Sequence, residues 1–145
     1  MPTRYTKTTG RLLNLPILRR QCLQIYNHKM GIAWEYIPVL EYIKTHPGCI
    51  QADISNKLNV TPAAVTQSTK SLESAGLIEK KIKKDNLRVK QMYITEQGIA
   101  AAKRGTEIFD NIDSVMYDGL TDEDIVNLET LLDRVSQNLK NHINK

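Results

Sequence analysis

Two apolar stripes meet at a corner between Leu58 and Pro62. Ile54 and Leu58 stand four apart, and Val65, Thr69, Leu72 and Ala75 follow at spacings of four and three. Each set therefore lines one face of a helix. Only Asn59-Val60-Thr61 separates the first helix from Pro62. Proline has no N–H and a fixed φ, which suits the first position of a helix and none further in. Thr61 is an N-cap residue, its hydroxyl placed to accept an N–H of the first turn. Gly76 supplies the C-terminal stop. The chain is thus held to helix, tight turn, helix, with the first helix over Gln51–Leu58.

The opposite side of the second helix carries Pro62, Ala63, Thr66, Gln67 and Lys70. These are small or hydrogen-bonding residues with a single charge, whereas a merely solvated face carries more Glu and Lys. A helix entering a DNA major groove needs close approach and amide or hydroxyl groups that reach base edges. After Gly76, Leu77–Lys83 and Arg88–Thr95 read as strands, with Lys84-Asp85-Asn86-Leu87 as the tip. Ile78 and Ile82 alternate with charged positions, as one face of a ribbon does. The hairpin holds Lys80, Lys81, Lys83, Lys84, Arg88 and Lys90 against Glu79 and Asp85. Such lysines suit a polyanion, and they also serve to keep an exposed edge soluble.

The run LNVTPAAVTQSTKSLESAGLI, then a basic hairpin, then YITEQG, resembles the winged helix-turn-helix of the MarR family of bacterial transcription regulators. The resemblance extends from near Leu12 to near Ile143. It implies a mainly α fold with a small β-hairpin wing and flanking N- and C-terminal dimerisation helices. Residues 1–145 would form one domain, with the DNA-binding lobe at 48–95 and dimerisation helices at 11–30 and 99–145. The implied function is sequence-specific binding of double-stranded DNA by a homodimer on a pseudo-palindromic operator, as a repressor released by a small effector. Gln67 is then the candidate for bidentate base contact, with Thr61, Pro62, Ala63 and Thr66 along the approach and Lys70 on phosphate. Lys83, Lys84 and Arg88 are the wing's candidates, Arg88 in the minor groove. In one respect the chain departs from the family's Asp-x-Arg wing. Asn86 stands where the aspartate belongs, and Asp85 is one residue out of register, so either is left to brace Arg88.

Outside this stretch the chain reads as helices. Leu12, Leu13, Ile17, Leu18, Cys22, Ile25 and Tyr26 recur at helical spacing from about Arg11 to Lys29, where Pro16 marks a kink or the true start and Gly31 the end. The first ten residues are polar and read as a loose arm. A second helix covers about Ala33–Thr45, with Trp34, Ile37, Leu40, Tyr42 and Ile43 for burial. A long helix from Glu96 to Tyr117 offers Ile99, Ala100, Ala102, Ile108, Phe109, Ile112 and Met116. Thr121 followed by Asp122, Glu123 and Asp124 starts the last helix, with acids at the positive end of its dipole. There Ile125, Leu128, Leu132, Val135, Leu139 and His142 are spaced alternately three and four, a coiled-coil seam. The two terminal helical regions hold more apolar surface than a small winged helix covers, which points to a two-fold partner.

At 145 residues with 41% hydrophobic and 25% charged, the composition is that of one globular domain. The net charge of +4 is unevenly spread: no Asp or Glu precedes Glu35, and no Lys, Arg or His lies between Glu107 and Asp133. Two cysteines, Cys22 and Cys49, make no disulfide scaffold, and no apolar run reaches membrane length, which points to the cytoplasm. The resemblance implies an effector acting between the dimer helices and the DNA-reading lobe. Tyr26, His28, Trp34, Tyr36 and Phe109 are candidates to line its pocket, though such aromatics more often form plain core. Cys22, near Arg19 and Tyr26, is the redox candidate, against the commoner role of a small buried hydrophobe. His28, His46 and His142 are scattered, so no metal site is expected. No nucleophile elbow or phosphate loop occurs, so neither catalysis nor a cofactor is implied. The competing reading is a winged-helix module that binds protein without DNA readout, which would need an exposed apolar patch.

Overall fold

Prolines, caps and glycines set most of the boundaries in the structure, a computed structural model that describes residues 2–145. Helix α1 runs Thr6–Ile25 and α2 Asn27–Met30, ended by Gly31 at φ 77°. A 3₁₀ turn, Trp34–Tyr36, leads into α3, Ile37–Thr45, with Pro38 in its first turn. Helices α4, Gln51–Leu58, and α5, Pro62–Ser74, precede the antiparallel pair β1, Ile78–Lys83, and β2, Asn86–Ile94. Helix α6 spans Glu96–Met116 and α7 spans Asp122–Ile143. The chain divides into two compact units, one ending at Ile112 and the other running Asp113–Lys145.

The core of the first unit is built where α3, α4, α5 and the hairpin meet. Leu40, Ile43, Ile54, Val65, Leu72 and Met92 are wholly inaccessible there. A short bridge between Cys49 and Met92 ties the segment before α4 to β2. Helix α6 enters the core through a face of small residues, Gly98, Ala101, Ala102 and Gly105, with Ile112 beyond. This corrects the expected burial of Ile99, Ala100 and Met116, which are exposed. The physical reason is at Gly98, where an added Cβ would overlap the Leu77 carbonyl oxygen and lie 2.6 Å from Ile94 Cγ1. Close approach of helix to strand selects the small face.

Other expectations are corrected too. Helix α1 starts at Thr6 rather than near Arg11, because Thr3 and Tyr5 carbonyls accept the N–H groups of Thr6 and Thr9. Pro16 lies inside this helix and marks no start. Leu23 is the buried residue of α1, whereas Leu12, Leu13, Ile17, Leu18 and Ile25 are exposed. Ala75 is exposed because it caps the last turn of α5 instead of continuing its stripe. Ile82 shares the alternation of Ile78, yet it is 57% exposed against 2%. Asn86 and Leu87 belong to β2, so the tip is shorter than expected.

In the second unit Thr121 Oγ1 accepts the Asp124 N–H, and Asp124 Oδ2 accepts the Thr121 N–H, a reciprocal cap. No residue of α7 is buried: Ile125 and Leu128 are half-covered, while Leu132, Val135 and Leu139 are exposed. Among the described residues no helix is long and apolar enough to cross a membrane.

Candidate nucleic-acid interface

The turn between α4 and α5 is held by its own side chains. Asn59 adopts the left-handed conformation, φ 53° and ψ 47°, which asparagine tolerates better than most residues. Ser55 Oγ donates to the Val60 carbonyl at 2.7 Å. Thr61 Oγ1 accepts the Ala64 N–H at 3.1 Å, with Pro62 at the first helical position. At the other end Gly76, φ 76°, donates to the Glu73 carbonyl and Leu77 donates to the Leu72 carbonyl. That pair of bonds is a Schellman closure. With both ends fixed, Val65, Thr69 and Leu72 face inward, joined by Ser68. Thr61, Pro62, Ala63, Thr66, Gln67 and Lys70 are all exposed.

One residue escaped the sequence reading. Gln51, at the start of α4, donates from Nε2 to Thr69 Oγ1 at 3.1 Å and accepts from Thr66 Oγ1 at 3.0 Å. Its partners lie 18 and 15 residues away, and no local pattern announces such a pairing.

The wing is irregular where its charged residues cluster. Register runs from Ile78↔Ile94 to Ile82↔Lys90 and then shifts, so that Lys83 pairs with Asn86. The shift leaves Leu87, Arg88 and Val89 bulged out of the ladder, a device that re-aims side chains. Asn86 Oδ1 accepts the Arg88 backbone N–H at 3.1 Å, fixing the backbone beneath the arginine. Asp85 Oδ1 instead approaches Lys83 Nζ at 3.9 Å. Lys84 and Arg88 are exposed and Lys83 is half-buried. Between the start of α4 and the wing lies a cleft of about 370 Å³, whose lining includes Gln51, Lys80, Arg88 and Lys90.

The exit from the wing is tied back to α5. Thr95 Oγ1 donates to the Gly76 carbonyl at 2.7 Å and accepts the Gly98 N–H at 3.0 Å. The Thr95 N–H reaches the Leu77 carbonyl at 3.0 Å. This threonine therefore caps α6 and holds the end of α5 at once.

The effector candidates are dispersed. Tyr26 lines a cleft of about 330 Å³ with Lys29, Arg104 and Glu107, and none of His28, Trp34, Tyr36 or Phe109 lines it. His28 is exposed. Trp34 is half-buried, with its ring N–H enclosed and without a hydrogen-bond partner, while Tyr36 packs on the core. Phe109 lies 5.5 Å below the Arg19 guanidinium. Cys22 is exposed, not a buried hydrophobe. Cys49 is buried, and burial first, then Asp53, pushes its thiol up to about 11, so it stays protonated at neutral pH.

Residues 34–90 match the MarR family model. The chain holds a MarR-like segment. Its matched part runs from the 3₁₀ turn into β2, so it holds the turn, all of α5, the wing tip and Arg88. Over 82 residues the chain is 30% identical to the uncharacterized HTH-type transcriptional regulator YdgJ of Bacillus subtilis. That alignment covers 54% of this chain and 50% of YdgJ. It is 28% identical over 135 residues to the HTH-type transcriptional regulator TcaR of Staphylococcus aureus, covering 90% and 87% of the two chains. A mutant MarR from E. coli, solved with operator DNA, shares the fold at TM-score 0.76 and 20% identity, over 92% of this chain and 99% of that one. The MarR-like fold thus extends well beyond the matched segment.

Proposed function

We propose that this chain is a sequence-specific double-stranded DNA-binding transcription regulator, a repressor released by a small effector. One observation carries the reading. The side of α5 bearing Pro62, Ala63, Thr66, Gln67 and Lys70 is turned away from the protein's own core and lies on the same lobe as a lysine-rich wing. In this reading the first turns of α5 enter a major groove, where Gln67 meets base edges and Lys70 a phosphate. Arg88, held on its bulge by Asn86, reaches the flanking minor groove, and Lys83 and Lys84 follow the backbone. The uncovered apolar side chains of α1 and α7 support assembly as a homodimer, and a two-fold dimer reads a pseudo-palindrome.

Binding to random duplex across a salt series tests the proposal. Affinity should fall steeply as salt rises, because each neutralised phosphate releases counterions. A flat response, or no binding at low salt, overturns it in favour of a protein-binding module. Arg88→Ala should lower both the affinity and the salt slope.

A further inference from the structure

Helix α5 shows the groove a hydroxyl whose hydrogen is already used. Thr66 Oγ1 lies 3.0 Å from Gln51 Oε1 and 2.9 Å from the Pro62 carbonyl oxygen. Neither neighbour can donate, so the Thr66 hydrogen points inward to one of them. One amide orientation keeps every neighbouring bond. The buried Thr69 hydroxyl donates to the Thr66 carbonyl at 3.3 Å, so toward Gln51 it can only accept. The nitrogen of Gln51 then faces Thr69, and its oxygen faces Thr66. Turning the amide over would take the Thr69 hydrogen from the Thr66 carbonyl and leave the Thr66 hydrogen on the Pro62 carbonyl, so toward a groove Thr66 is an acceptor in either orientation.

We infer that Thr66, whose hydrogen is held between the Pro62 carbonyl and Gln51, is an acceptor-only contact, so that this position selects a base with an exocyclic amino group, adenine N6 or cytosine N4. Guanine N7 and O6 and thymine O4 are acceptors, and they find no hydrogen on Thr66. The inference rests on α5 being the helix that faces DNA. Gln51 takes part through Thr66 and contacts no base.

The test begins with duplexes selected from a randomised pool by the full-length protein. Within the selected half-site, each adenine is replaced in turn by purine and each cytosine by pyrimidin-2-one, which lack the amino groups. At one position per half-site the replacement should weaken the native protein about fivefold, the value of one hydrogen bond. At that position Thr66→Val should bind original and replaced duplexes alike. Gln51→Leu removes one of the two acceptors and leaves the Pro62 carbonyl to hold the hydrogen, so the preference there should fall only in part. Gln51→Glu keeps the acceptor and should keep the preference, even if its charge lowers affinity on every duplex. The readout is the ratio between duplexes, which a uniform structural loss leaves unchanged. A Thr66-dependent response to removal of N7, or amino deletions that weaken native and Thr66→Val proteins equally, overturns the inference. A protein that selects a motif yet behaves so leaves the regulator reading intact. A protein that binds no duplex brings down both.

Discussion

Helices α5 and α7 carry apolar residues at nearly the same spacing and meet opposite fates. In α5 the stripe Val65, Thr69 and Leu72 has no accessible surface, while in α7 Leu132, Val135 and Leu139 remain between 41% and 62% exposed. Periodicity shows that a helix has an apolar face, but not whether the same chain covers it. In the first case α3, α4 and the hairpin supply that cover. In the second the proposed homodimer would supply the cover, and its contribution to stability should then depend on concentration.

Four substitutions sharpen or break this contrast. Leu72→Ala opens a cavity in a fixed core and should cost about 2–5 kcal/mol in urea unfolding at any protein concentration. Gly98→Ala forces a methyl onto the Leu77 carbonyl, so α6 must shift, and a loss of about 1–3 kcal/mol is expected from the same measurement. Thr61→Ala removes the α5 cap and should cost about 1 kcal/mol. Leu139→Ala should change unfolding of the dilute protein by no more than about 0.5 kcal/mol. At high concentration it should cost more and weaken association in sedimentation. If Leu139→Ala were as costly as Leu72→Ala in dilute protein, α7 would be serving an intrachain core and the contrast would fail.

Local chemistry made the centre of the molecule legible. Thr61, Pro62 and Gly76 fix α5 through bonds within a few residues, and its ends fall where those residues predict. Errors gathered where a distant partner decides. Ile82 alternates correctly with Ile78, but the hairpin carries it beyond the helices that bury its neighbour. The bulge that puts Asn86 and Leu87 in β2 is a property of cross-strand pairing, which alternation along one strand does not encode. On α6 the larger residues drew attention, although backbone proximity selected the glycines and alanines. The DNA-facing candidates on α5 were readable as an exposed face. Gln51, which shares the hydrogen of Thr66 with the Pro62 carbonyl, was not, because its pairing exists only once α4 and α5 are packed.

The Thr95 junction has a mechanical consequence. Its hydroxyl and backbone bonds clamp the Gly76–Leu77 exit of α5, the return strand and the first turn of α6, and the bare Gly98 lets all three approach closely. Helix and hairpin are therefore braced as one paddle against bending apart. In the proposed regulator, a signal that loosens α5 and the wing from a duplex would tilt the whole paddle, because hinging at this joint would first have to tear out the rivet.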